Sequence, residues 1–277
     1  MITAPAAPRA RRADRAQRVP HPPSVRRVVE REALIYRRLW KASAFSNFIG
    51  PALYLAALGI GLGSLVDASS GDVGGVPYLQ FVAPGILAAT VMQFTVADSL
   101  WPVMTGMRWM RFYHAMVATP IRAVDVYAGT LVWLAMRVVL SATSFLLVAT
   151  VLRAVGSPTA VLAIPAAVLT ALSFAALVTA FAGGEETDAR FGLVMRIFVL
   201  PLFLFSGTFF PISQLPAFLQ TLAWISPLWH GVELCRAAMT GVVESPVLVV
   251  AHVAYLLAVI AVGWVWGSAT FRKQLSS

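Results

Sequence analysis

The chain is 277 residues long, 59% hydrophobic and 12% charged, with a formal net charge of +9 and a single cysteine. Soluble domains carry about 25% charged residues, so the composition excludes an ordinary soluble domain. The lone Cys235 excludes an intramolecular disulfide framework and a multi-cysteine metal site. Several nearly uncharged runs of roughly 20 residues predict an all-α integral membrane protein, and the short alternating segments of a β-barrel do not dominate.

Residues 1–23 hold arginines, alanines and prolines with no apolar core behind them. That predicts a disordered basic cytoplasmic tail rather than a cleavable signal peptide. Contact with anionic headgroups and a solvated tail without a specific role both fit it. Residues 24–41 read differently. Val25, Val28, Val29, Tyr36, Leu39 and Trp40 fall near one helical face, whereas Arg26, Arg27, Arg31, Arg37, Arg38 and Lys41 fall mostly elsewhere. This pattern predicts an amphipathic helix in the inner interface, with docking of a cytoplasmic partner as a second role.

Residues 42–277 read as a transmembrane domain of six helices, with spans near 45–66, 78–103, 124–152, 160–182, 193–210 and 247–269. Gly50-Pro51 should kink the first span, and Gly59, Gly61 and Gly63 allow close helix approach there. The loop 67–77 has two aspartates and no Lys or Arg, which places it outside. Residues 107–119 are basic and aromatic and predict a short cytoplasmic helix ending at Thr119-Pro120. The fifth span is interrupted by Pro201, Ser206-Gly207 and Pro211. Such a broken helix is tolerated at membrane depth only where protein or a water-filled cavity satisfies the freed backbone groups. Residues 215–241 then read as two short helices separated by Pro227, re-entering the outer membrane edge. Eighteen of the twenty-one Lys and Arg residues fall on one side of this topology; only Arg153 and Arg236 lie outside and Arg137 within a span. The asymmetry places both termini in the cytoplasm, and a charge set so arranged gives no nucleic-acid partner.

Residues able to carry chemistry are few. Lys41 and Lys273 are the only lysines and neither closes a phosphate-binding glycine loop, and no nucleophile elbow or H-E-x-x-H helix occurs. His21, His114, His230 and His252 cannot be assigned to one metal site by spacing. No catalytic, cofactor-binding or metal-binding residue is therefore predicted in the chain. Arg137 is the clear charge inside a span, with Asp98 or an interhelical carbonyl as its partner. It can serve as a packing pair that fixes helix register, or as a substrate or gating contact. Glu233 and Arg236, spaced i, i+3, can pair on an outer helix, and Phe203, Phe205, Phe209 and Phe210 can line an apolar path or simply pack.

The stretch Pro201-Leu-Phe-Leu-Phe-Ser-Gly-Thr-Phe-Phe-Pro-Ile-Ser-Gln-Leu-Pro216 resembles the ABC-2 family of ABC transporter permeases. Within that family the chain is similar to the permeases of nodulation-factor (lipo-chitooligosaccharide) exporters and, more distantly, to daunorubicin-resistance permeases. Other pieces agree in order: His114-Ala115-Met116 with Ala118-Thr119-Pro120, then Asp125 and Gly129, Asp188-Ala189-Arg190, Ser226-Pro227-Leu228 with His230, and Thr240-Gly241. The resemblance implies a bacterial inner-membrane export permease that pairs with a second permease copy or homologue. A pair of separate ABC ATPase subunits would supply ATP and Mg, neither of which this chain would bind itself. It also implies roles for particular residues. Arg27, Arg31, Tyr36 and Trp40 would lie on the connecting helix. Arg108, Trp109, Arg111, Phe112, His114, Thr119 and Pro120 would face the ATPase. Arg137, Phe205, Phe209 and Phe210 would line the translocation path, and Leu215, Trp224, Trp229, Glu233 and Arg236 would lie on the outer re-entrant helices. The expected cargo is an amphiphile such as a lipo-oligosaccharide, glycolipid or hydrophobic drug. One departure stands out. Relatives often carry acidic residues in the inner loop helix, whereas Trp109-Met-Arg-Phe-Tyr-His114 is basic and aromatic, which calls for an acidic or aromatic-compatible ATPase groove. Two other classes compete: a membrane enzyme or assembly factor, and a stand-alone secondary transporter with inverted repeats and midplane charges.

Overall fold

The computed structural model describes residues 24–58, 61, 75–243 and 245–276. The basic tail 1–23, most of the predicted outer loop 67–77 and the C-terminal part of the predicted first span lie outside the described residues. Among the described residues the chain is helical throughout, without a strand.

The interfacial helix and the start of the first span form one element, α1 (Ser24–Ala56). The predicted boundary at residues 41–45 does not exist, because nothing there breaks a helix: Lys41-Ala-Ser-Ala-Phe45 carries no proline or glycine. Helix α2 (Tyr78–Met104) follows, with Pro84 and Pro102 inside it. It is extended by a π-helical turn, Thr105–Trp109. Arg111 takes a left-handed conformation, φ 52°, and only then does the short helix α3 (Phe112–Val117) begin. The predicted single cytoplasmic helix over 107–119 is thus two pieces around a left-handed corner.

Helix α4 (Ala123–Val151) starts with a capping box between Arg122 and Asp125. A 3₁₀ turn (Pro158–Leu162), capped by Ser157, leads into α5 (Ala163–Gly184). The next helix, α6 (Phe191–Phe205), has a π-helical turn at Val194–Val199 just ahead of Pro201. Pro201 therefore does not break the span as the sequence suggested. It occupies the first turn of the segment after the π turn, where its missing N–H costs least. The break comes at Ser206-Gly207, with Gly207 at φ +77°, a conformation that penalises any side chain. The next helices are α7 (Ala217–Ile225) and α8 (Pro227–Thr240), and α9 (Pro246–Leu275) completes the fold. Pro227 and Pro246 each occupy the first turn behind a serine cap, the arrangement proline favours.

Four helical stretches among the described residues are long and apolar enough to cross a membrane: Tyr78–Trp109, Ala123–Val151, Pro158–Gly184 and Pro246–Leu275. Helix α6 is apolar but short. At 1.5 Å per residue it covers about 22 Å, less than a hydrocarbon core of about 30 Å. The predicted first span is described only to residue 58 and at residue 61, so its full length lies outside the described residues.

The helices pack around α5, which contacts α2, α9, α4 and α8. Ala163, Ala167, Ala171, Ala175, Ala176 and Ala180 of α5 are buried. Small side chains let backbones approach closely, which matters in lipid because apolar burial alone does not drive helices together there. In α2, 72% of the most apolar stretch is buried in protein, against 17% in α9, so α9 presents most of its apolar surface outward. Helix α1 lies along α4, where Val28 packs against Gly129 and is 1% exposed.

Candidate functional site

The corner between α2 and α4 is built by the π turn, the left-handed Arg111 and α3. Arg108 points inward. Its Nε donates to the Glu185 carbonyl at 3.2 Å and its Nη2 to Gln274 Oε1 at 3.0 Å, tying the corner to the ends of α5 and α9. Phe112 is held from the other side, with the Arg31 guanidinium 3.7 Å from its ring centroid. Tyr113 is buried, near the Thr130 hydroxyl at 3.4 Å and against the Phe271 ring at 5.9 Å. What remains outward is the tip: Trp109 at 57% exposure, Met110 at 76%, and Arg111. His114 has a buried Nδ1 with no hydrogen-bond partner among the described residues. Burial and the nearby Arg111 and Arg108 guanidinium groups hold its pKa below the usual histidine value. Thr119 closes α3, its hydroxyl donating to the Met116 carbonyl at 2.6 Å, and Pro120 is exposed beyond it.

The connecting-helix residues divide. Arg27 is exposed, Arg31 pairs with Glu32 and covers Phe112, and Tyr36 meets Trp133 of α4 edge-on at 5.6 Å. The side chain of Trp40 lies outside the described residues.

Arg137 of α4 finds the partner anticipated for it. It donates to the Asp98 carboxylate of α2, and its guanidinium lies 4.3 Å from the Phe94 centroid. A cavity of about 300 Å³ adjoins the pair, lined by Tyr36, Phe112, Tyr113 and Trp133 among others. Phe205 and Phe210 are half-buried. Phe209 meets Phe203 edge-on at 5.2 Å, and its carbonyl accepts from Tyr78 Oη at 3.5 Å. Tyr78 and Asp98 are 20 residues apart on α2, about 30 Å along the axis. The structure therefore separates Arg137 from the phenylalanine cluster and does not bring them into one site.

At the opposite end, Arg236 donates to Glu233 at 2.5 Å and to the Gly207 carbonyl at 2.6 Å, and lies 4.2 Å from the Phe81 centroid. The i, i+3 pair was readable in the sequence; the tether to the break after α6 was not. Leu215 is buried and its carbonyl accepts from Gln220, whereas Trp224 is 48% exposed. Trp229 packs edge-on against both His230 and His252, at 4.8 and 5.0 Å between centroids.

Two groupings escaped sequence reasoning. His230 Nδ1 lies 2.7 Å from His252 Nδ1, and His230 Nε2 lies 3.0 Å from the Trp224 carbonyl. A carbonyl only accepts, so Nε2 carries the proton, and in the neutral pair His230 Nδ1 accepts from His252 Nδ1–H. The second is Tyr127, whose hydroxyl is 2.9 Å from the carbonyls of both Ala176 and Gly263, linking α4, α5 and α9. Neither has a local signature, since each joins residues on different helices. Among the described residues no group of three or more His, Cys, Asp or Glu side chains could hold a metal ion.

The ABC-2 type transporter family model matches residues 23–240. Among curated relatives, "Nodulation protein J" of Rhizobium leguminosarum bv. trifolii is 32% identical over 85% of this chain and 89% of its own length. "Nodulation protein J" of Rhizobium meliloti (strain 1021) is 31% identical over 90% and 92%. The "Inner membrane transport permease YadH" of Escherichia coli (strain K12) is 24% identical over 84% and 92%.

Proposed function

Because the chain belongs to the ABC-2 type transporter family, we propose that it is the membrane-spanning subunit of an ATP-driven exporter and works without a nucleotide site of its own. The family places it in a membrane as a transport subunit rather than an enzyme, and implies an ABC ATPase partner in general terms. The finer reading is ours. Six spans would put both termini in the bacterial cytoplasm, and two permease subunits would pair above two ATPase subunits. Binding and hydrolysis of MgATP in the partner would bias the pair between inward- and outward-open packings. The cargo would be an amphiphile: a lipo-oligosaccharide, glycolipid or hydrophobic drug. Similarity to proteins called nodulation protein J favours the first of these.

The observation that carries the coupling assignment is the cytoplasmic corner. Arg108 and Phe112 anchor it to α1 and to the ends of α5 and α9, while Trp109, Met110 and Arg111 project from it. A rigid element with an exposed aromatic and basic tip can pass a push from a docked partner to α1, α5 and α9 together. The test is the double variant Trp109→Ala/Arg111→Glu, reconstituted with the partner ATPase. Insertion should be unchanged, while hydrolysis continues and export falls by at least about tenfold, the effect of losing roughly 1.4 kcal/mol of coupling. Wild-type export by that variant would refute the assignment.

A further inference from the structure

His230 of α8 and His252 of α9 meet through their Nδ1 atoms, 2.7 Å apart. The contact lies far from the corner, since His252 and Gln274 are about 33 Å apart along α9. Both rings are buried, at 9% and 8% exposure, and both are held in orientation. Tyr255 stacks on His230 at 3.9 Å between centroids, and its hydroxyl donates to the Ile225 carbonyl. Trp229 stands edge-on to both imidazoles. The Trp224 carbonyl accepts from His230 Nε2–H, which leaves the lone pair on His230 Nδ1 directed toward His252. A backbone carbonyl on the far ring nitrogen is the support that metal-binding histidines ordinarily have.

The spacing discriminates between ions. With metal–nitrogen bonds of about 2 Å, neighbouring ligands at the right angle of a square-planar ion sit about 2.8 Å apart, whereas the tetrahedral angle of zinc sets them about 3.3 Å apart. The observed separation matches the first. His252 also lines, together with Trp229 and Glu233, a cavity of about 420 Å³. That space gives an ion and its waters a way to the pair. Among the described residues no third His, Cys, Asp or Glu joins the two, so water would fill the remaining positions of the plane.

We propose that His230 and His252 form a two-histidine site for a tetragonal divalent transition ion, copper(II) in preference to nickel(II). The ion replaces the hydrogen bond between the rings. Both imidazoles then bind through Nδ1 with their protons on Nε2, so the proton that His252 carries on Nδ1 in the neutral pair moves to its other nitrogen and none is lost. The rings turn toward the ion and hardly part. The bound ion staples α8 to α9, and nothing in the site depends on the export reading.

The test uses the full chain without a histidine tag, in lipid nanodiscs with a tag-free scaffold. His21→Gln and His114→Gln are introduced together, leaving the pair as the only histidines. Copper(II) is the probe, with zinc(II) and magnesium as comparisons, and binding is followed by electron paramagnetic resonance and by quenching of tryptophan fluorescence. One copper should bind per chain, with an axial spectrum split by two imidazole nitrogens. Zinc should bind more weakly and magnesium not at all. Adding His230→Gln or His252→Gln should weaken copper binding by at least about tenfold, with the metal-free thermal midpoint checking that each variant is folded. Acid should release the ion from the unsubstituted pair, because both ligands must be unprotonated, and this readout needs neither glutamine. No saturable copper binding, coupling to fewer than two nitrogens, or full binding by the His230→Gln/His252→Gln protein would overturn the proposal and leave an ordinary hydrogen-bonded pair.

Discussion

Arg137 and Asp98 join α4 to α2 by an ion pair inside the membrane-spanning region, each side chain 23% exposed. A charge at this depth is tolerated when it is paired, and the Phe94 ring beneath the guanidinium adds a cation–π contact. Removing one partner strands the other. Asp98→Leu or Arg137→Leu alone should each destabilise the protein by roughly 3 kcal/mol, while the double substitution should recover most of that loss. Thermal unfolding of the four proteins in one detergent measures the coupling, and additive effects would contradict the pairing.

Tyr127 and Gly267 form a second contact where little room remains. A Cβ added to Gly267 would fall 2.2 Å from the Tyr127 ring, whose hydroxyl holds Ala176 and Gly263. Gly267→Ala should therefore force α9 away from α4 and cost about 1–3 kcal/mol. Tyr127→Phe should cost about 1 kcal/mol through its lost hydrogen bonds. In the Tyr127→Phe background Gly267→Ala should remain costly, because the ring stays in place. Unfolding midpoints of the single and double variants check this.

The corner between α2 and α4 should be sensitive to acid through His114. Its folded-state pKa is depressed by burial and by Arg111 and Arg108. Between the folded and unfolded pKa values the unfolded chain binds more protons, so stability rises with pH there. The contribution is fully present above the unfolded value near 6.5 and is lost as pH falls from that value toward the depressed one. His114→Gln should flatten the pH dependence of the thermal midpoint between about pH 5 and 7. An unchanged slope would remove His114 as its source.

Much of the helical plan was legible because hydropathy and proline placement act locally. The second, third, fourth and sixth predicted spans begin and end within a few residues of α2, α4, α5 and α9, apart from the last turns of α9. The π turns at Thr105–Trp109 and Val194–Val199 were not legible, since insertion of one residue into a helical ladder leaves no mark in composition. Pro201 misled for the same reason: the turn before it absorbs the missing donor. The Arg137–Asp98 pair could be anticipated because a membrane charge demands a partner. The His230–His252 contact carries no such demand, as neutral histidines pass for ordinary half-polar residues until the fold brings them together.

The most direct test of the account is made in proteoliposomes holding the purified chain, with and without its ABC ATPase, and a fluorescent glycolipid as cargo. The chain alone should neither hydrolyse ATP nor move the glycolipid, and adding the ATPase with MgATP should start both. Hydrolysis or glycolipid movement by the chain alone would contradict it.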